Sequence, residues 1–229
     1  MPQDLQLIAD PRLILLAWAA GLALVTGAIS LRRIVGPGFN WLTAGVAALI
    51  GLPGVLSDDA WWARIGLLTL LIGLVWARNR PFAGVMFLLG GLAYLVEAAL
   101  FAGPVSAATA TLALGGVTGE MVLGHWYLVD PRLPRSALRS LAVVGIAGLM
   151  AEALFQISLD IGFTGGALGF WVLLLTSIVL MAAVIGALRY PAYSGVMAAT
   201  GLSYLALLTT LGAVFVGRAL AAGLGLFAL

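Results

Sequence analysis

The amino-acid sequence predicts an all-α integral membrane protein with about eight transmembrane helices. Of its 229 residues, 63% are hydrophobic and only 9% are charged, and the mean hydropathy is +1.15. A soluble domain carries about 25% charged residues, so this composition does not suit a protein whose surface faces water. The apolar residues also form runs of roughly 20, the length that a helix needs to cross a hydrocarbon core of about 30 Å.

Eight apolar segments can be recognised in chain order, with short connections between them. They are 12–30, 41–57, 61–77, 81–101, 106–128, 137–159, 167–188 and 192–217. The second segment is the least secure, because Gly51 and Pro53 interrupt a short apolar run, and a count of seven stays open. Asp4 and Asp10 precede the first segment without a basic region, which argues against a cleaved signal peptide. We expect residues 1–229 to form a single polytopic domain.

Arginine positions predict how the helices are oriented. Eight arginines follow the first, third, fifth and seventh segments, whereas Arg12, Arg64 and Arg218 fall toward the other side. Cytoplasmic loops are enriched in Lys and Arg, so both termini are predicted to lie outside the cytoplasm. The pI of about 9.4 then reflects an arginine collar at anionic lipid headgroups, and we expect a lipid partner and no nucleic acid. Complete use of Arg in place of Lys, with abundant Ala, Gly and Leu, indicates GC-rich coding and a bacterial cytoplasmic membrane.

The sequence also contains signs of an internal repeat with halves 1–103 and 104–229. The matched positions are Pro81 with Pro191, Gly91 with Gly201, Tyr94 with Tyr204, and Trp61 with Trp171. Four helices in each half would give both halves the same orientation, related by an axis along the membrane normal. Chance similarity among segments rich in Gly and Leu is the alternative. Glycines on the fifth and sixth helices, including Gly115 and Gly145, are expected to allow close helix packing.

Rare residues limit the chemistry that this chain can support. The sequence has no cysteine, no lysine and a single histidine, His125. We therefore expect no iron–sulfur cluster, no zinc site and no retinal Schiff base, and the cofactor that we consider is a quinone. Whether the protein is an enzyme is left open.

All three glutamates lie within predicted spans, at Glu97, Glu120 and Glu152. A charged side chain at the bilayer centre costs about 2.5–3.5 kcal/mol on insertion scales, so each should be neutral, paired or turned to the bundle interior. Glu152, Gln156 and Asp160 recur at intervals of four and would form one stripe on the sixth helix. This stripe predicts a proton or cation path, or else hydrogen bonds to neighbouring helices.

The fifth helix ends with a group of polar and aromatic residues. His125 shares a face with Thr118, whereas Glu120 and Tyr127 lie on nearly the opposite face, so we expect protein on both sides of this helix. His125 would lie about one turn from the membrane boundary, the depth of a quinone head-group or a proton exit. The alternative is that His125, Trp126 and Tyr127 belong to an interfacial aromatic belt. We expect Glu120, Glu152 and His125 to face the bundle interior.

Three functions remain open from the sequence. The first is a membrane subunit of a larger electron-transfer or energy-converting complex, with a quinone pocket near His125 and Glu120 or a proton path along the carboxyl groups. The second is a small secondary transporter or channel, which requires an aqueous cavity that reaches Glu97 or Glu152. The third is a structural or assembly protein in which the glutamates bond neighbouring helices.

Overall fold

In the computed structural model, the described residues 11–163 and 165–223 form eight α-helices. They are α1 (Pro11–Leu31), α2 (Pro37–Val55), α3 (Trp61–Val75), α4 (Arg80–Ala102), α5 (Pro104–Val129), α6 (Arg135–Ser158), α7 (Gly166–Arg189) and α8 (Tyr193–Gly223). Seven of them are long and apolar enough to cross a membrane. The protein is therefore an all-helical, multi-pass membrane protein as far as the described residues show.

The short helix is the third and not the second. The α2 helix has 19 residues and keeps Pro53 within its last turn, so the expected interruption does not shorten it below spanning length. The α3 helix has 15 residues, about 22 Å at 1.5 Å per residue, where the sequence suggested 61–77. The α3 helix begins after a turn in which Asp59 has a φ of 58°. A second turn, just before Asn79, follows the end of the helix.

Proline and small polar residues explain where several helices begin. Pro37, Pro81 and Pro104 occupy first-turn positions, where the missing N–H has no intrahelical partner to lose. At α4 the side chain of Asn79 also accepts a hydrogen bond from the backbone N–H of Phe82. These signals keep the loops short and place consecutive helices side by side.

The two halves of the chain pack in the same order. In the first half α1 contacts α2 and α4, α2 contacts α3, and α3 contacts α4. In the second half α5 contacts α6 and α8, α6 contacts α7, and α7 contacts α8. The halves meet mainly through α1 against α5, with a smaller contact between α4 and α5. The α5 helix is therefore central, and it is the most buried of the seven candidate spans.

Small residues bring α1 and α5 into backbone contact. A Cβ atom on Gly21 would overlap the backbone of Gly115, so no larger residue fits at this crossing without a shift. Beside the crossing, the indole N–H of Trp18 donates to the Thr118 hydroxyl oxygen at 2.8 Å. On its other side α5 approaches Gly145 of α6 equally closely. The predicted role of these glycines in helix packing is confirmed.

Most of the arginines lie in or near the loops that follow α1, α3, α5 and α7, and we call this end of the bundle the arginine-rich end. Several of these arginines donate hydrogen bonds to backbone carbonyls. Arg135 donates to the carbonyl oxygens of Tyr190 and Pro191, both at 2.7 Å, and Arg139 donates to that of Leu188 at 3.0 Å. These contacts satisfy carbonyls that the end of α7 leaves without helical partners. In the loop after α5, the Arg132 guanidinium donates to Asp130 and holds the pKa of that carboxyl below its ordinary value.

Candidate functional site

Glu97 on α4 bonds to the start of α3. Its Oε2 accepts a hydrogen bond from the backbone N–H of Ala63 at 3.0 Å, and the side chain is 2% exposed. The residue before α3, Ala60, has no side chain able to cap this end. A carboxylate at a helix N-terminus satisfies a free N–H and interacts favourably with the helix dipole. Glu97 of α4 therefore caps the N-terminus of the neighbouring helix α3.

Glu152 on α6 forms a buried ion pair with Arg218 on α8. The two guanidinium nitrogens donate to the two carboxylate oxygens at 2.6 and 3.1 Å, and the residues are 0% and 5% exposed. Thr109 of α5 adds a hydroxyl that donates to Glu152 at 2.7 Å, and the Ser106 carbonyl accepts from Arg218 at 2.7 Å. The pair therefore joins three helices. Arg218 is therefore buried near the end of α8, and its charge is neutralised within the bundle.

The polar stripe predicted on α6 is interrupted. Gln156 is fully buried beside Gly217, and neither polar atom of its side chain has a hydrogen-bond partner among the described residues. Asp160 follows the end of the helix, exposed, in a turn with a φ of 53°. A cavity of about 20 Å³ reaches Arg218, which leaves room for about one water molecule. The transporter hypothesis gains no support from so small a space, and it stays a prediction.

Glu120 on α5 is the intramembrane glutamate that has no partner in the described part of the chain. It is fully buried, and it lies against Ser203 of α8. The Ser203 hydroxyl, however, donates to the Thr200 carbonyl at 2.8 Å, and neither carboxyl oxygen of Glu120 forms a hydrogen bond. Burying an ionised carboxylate in this way would be very costly. Among the three glutamates, Glu120 is therefore the one whose burial is not compensated by a hydrogen bond or an ion pair within the described structure.

His125 lies on the surface of the bundle, so the prediction that it faces the interior is wrong, while Glu120 and Glu152 are buried as expected. The reason is its helical position: His125 lies on the α5 face that meets a cleft, nearly opposite Glu120. Its Nδ1 is 3.5 Å from the hydroxyl oxygen of Tyr204 on α8. The two side chains form a polar pair on an otherwise apolar surface.

The cleft beside this pair has a volume of about 430 Å³ and lies between the two halves. Helices α1 and α2 form one wall and α5 and α8 the other. The apolar lining includes Trp18, Leu42, Val46, Ile50, Met121 and Leu207. Thr118 lies two turns from His125 along α5, about 10 Å away, with its oxygen already bonded to Trp18. The cleft is therefore apolar along most of its length and polar where His125 and Tyr204 meet.

Tyr127 is separated from this cleft. It is 6% exposed, and the guanidinium of Arg135 donates to its hydroxyl oxygen at 3.4 Å while lying 5.9 Å from its ring centre. A buried tyrosine does not belong to an interfacial belt, so that alternative fails for Tyr127. Glu120 also does not line the cleft. The structure therefore brings His125 together with Tyr204, and not with Glu120 or Tyr127.

Sequence reasoning missed two residues that matter here. Arg218 lies in the last part of a long apolar segment, and its distance from the end of α8 resembles that of Glu152 from the end of α6. Matching those depths could have suggested the pair. Tyr204 is the counterpart of Tyr94 in the predicted repeat, yet Tyr94 is fully buried whereas Tyr204 is 45% exposed. Nothing in the local sequence distinguishes these two environments.

Comparison of the chain with protein-family models, with curated proteins and with solved structures finds no match.

Proposed function

We propose that this protein is a membrane subunit of an electron-transfer complex and binds a quinone in the cleft that His125 and Tyr204 border. The observation that carries the proposal is an apolar cleft of about 430 Å³ with its polar pair at one end. Ligand sites are typically apolar spaces of about 300–1,000 Å³ with a few placed polar groups. A quinone matches such a site, because it has a polar ring attached to an apolar tail.

His125 and Tyr204 supply the hydrogen-bonding groups that a quinone ring needs. A tyrosine hydroxyl donates or accepts, and a neutral imidazole has one donor and one acceptor nitrogen. The 3.5 Å separation of the pair is long for a hydrogen bond, so both groups can turn to one carbonyl oxygen that lies beside the pair. The aliphatic side chains of α2 and α8 would then hold the tail.

Composition supports a role within a larger assembly. With no cysteine and one histidine, this sequence lacks the residues for an iron–sulfur cluster or a haem held by two histidines. Electrons for a bound quinone would therefore come from, or pass to, another subunit. The unpartnered carboxyl of Glu120 is our candidate for a proton site on the opposite face of α5.

The proposal also covers the number of membrane spans, the internal repeat and the orientation of the helices. We propose that α3 is an eighth, short span, with the bilayer thinned around it, and that the halves are parallel four-helix repeats. The common packing order of the halves supports this arrangement. The complete use of Arg in place of Lys supports a bacterial cytoplasmic membrane. The unequal distribution of the arginines supports an orientation with the arginine-rich end inside and both termini outside.

Quinone binding can be tested with the purified protein in lipid nanodiscs. Titration with a short-chain quinone should quench tryptophan fluorescence, because Trp18 lines the cleft. His125→Ala and Tyr204→Phe should each weaken binding about 2- to 10-fold, the effect of losing a hydrogen bond of about 0.5–1.5 kcal/mol.

Tyr190→Phe is the matched control, since Tyr190 is 61% exposed and lies outside the cleft. Its affinity should equal that of the wild type. Unchanged affinity in both His125→Ala and Tyr204→Phe would show that the quinone binds elsewhere. Glu120→Gln should leave the affinity unchanged, because Glu120 does not line the cleft.

A further inference from the structure

A second groove lies between the halves, on another side of the α1–α5 crossing. It has a volume of about 300 Å³ and runs between α1 and α6, with α5 as its floor. Its walls include Leu24, Val25, Leu141 and Val144, and Gly115 and Gly116 form part of the floor. These glycines allow α1 and α6 to approach the α5 backbone closely, which makes α5 the floor of the groove.

The length of the groove matches one leaflet of a membrane. Along α1 it extends from Gly21 to Arg32, just past the end of the helix, a rise of about 16 Å. A hydrocarbon core is about 30 Å thick, so the groove covers about half of it. One end opens at the arginine-rich surface, and the other lies near the middle of the bilayer.

Positive charge is concentrated at the open end. Arg32 lines the groove, and Arg33 follows it in the same exposed turn. Within the described part of the chain neither arginine forms a salt bridge, and Asp130, the acid of the loop between α5 and α6, is paired with Arg132. A guanidinium at this level is suited to a phosphate group.

We propose that this groove holds one anionic phospholipid, with an acyl chain between α1 and α6 and its phosphate at Arg32 and Arg33. The lipid would fill the space between the two halves and join them at the arginine-rich end. This site is separate from the cleft at His125 and does not depend on the quinone proposal.

Native mass spectrometry of the protein, purified in mild detergent and offered phosphatidylglycerol or phosphatidylcholine, tests the site. The wild type should retain one phosphatidylglycerol in preference to phosphatidylcholine. Each juxtamembrane arginine contributes about 1 kcal/mol to binding an anionic lipid, so Arg32→Gln should reduce this preference about fivefold. Ala28→Phe, which places a ring in the groove, should prevent retention of either lipid.

Arg189→Gln is the matched control, because Arg189 is exposed at the end of α7 and does not line the groove. It should retain the lipid as the wild type does. Equal retention by the wild type, Arg32→Gln and Ala28→Phe would overturn the proposal, and so would equal losses in Arg32→Gln and Arg189→Gln. A melting temperature measured for each variant separates loss of the site from loss of the fold.

Discussion

The three intramembrane glutamates differ because each meets a different partner. Glu97 accepts from a helix N-terminus, Glu152 is paired with Arg218, and Glu120 has neither kind of partner. Their positions within spans could be predicted from the sequence, since three acids in apolar runs are conspicuous. Their partners could not, because a side chain's neighbour across the bundle depends on helix rotation and on which helices touch.

Substitution by glutamine should distinguish Glu152 from Glu120. Glu152→Gln leaves the Arg218 charge buried without its counter-ion, and removing one member of such a pair costs about 3–5 kcal/mol. Glu120→Gln breaks no hydrogen bond in the described structure and should change the free energy of unfolding by much less. Reversible unfolding in mixed micelles measures both values, and a similar loss in the two variants would contradict this account.

The ion pair itself can be separated from its two members by a double substitution. Replacing both residues, Glu152→Leu with Arg218→Met, removes the charges together and should recover most of the stability that the single changes lose. The same unfolding measurement on the two single variants and the double variant gives the coupling energy. Additive losses would show that the residues act independently despite their 2.6 Å contact.

At the scale of the helices, close packing depends on a few glycines and not on glycine content in general. Gly115 meets the backbone of Gly21, whereas Gly169 on α7 has open space where a Cβ would lie. The sequence could predict that glycines mediate packing, because 30 of them in a membrane chain suggest it. It could not predict the shortness of α3, because the apolar run continues to residue 77 while the chain turns after Val75.

Alanine substitution should therefore have different effects on thermal stability at the two glycines. Gly115→Ala would push α1 from α5 and should lower the thermal stability, while Gly169→Ala should leave it unchanged or raise it, since alanine favours helix by about 1 kcal/mol. Thermal unfolding followed by circular dichroism compares them. Equal melting temperatures would mean that the α1–α5 crossing is not tightly packed in the membrane.

For the whole molecule, the absence of native cysteine allows a direct test of orientation. Asp58→Cys lies in the exposed turn between α2 and α3, and Ser136→Cys lies exposed at the arginine-rich end. A membrane-impermeant maleimide should label Asp58→Cys in intact spheroplasts and Ser136→Cys only after the membrane is opened. The reverse pattern would invert the predicted topology.

The two halves of the molecule enclose spaces of different chemistry on different sides of the α1–α5 crossing. One has His125 and Tyr204 at its end, and the other has Arg32. The sequence identified His125 as a candidate, because it is the single histidine, but the cleft requires four helices from both halves. Its existence depends on how α2 and α8 are placed against α1 and α5.

A photoreactive quinone, cross-linked to the protein in its membrane and mapped by peptide mass spectrometry, tests the central claim most directly. We predict that the label lies on the cleft, within residues 42–50 of α2 and 118–125 of α5, and that an excess of unmodified quinone prevents it. Label spread over the lipid-facing surface of α7, or label that excess quinone does not displace, would contradict a quinone site between the two halves.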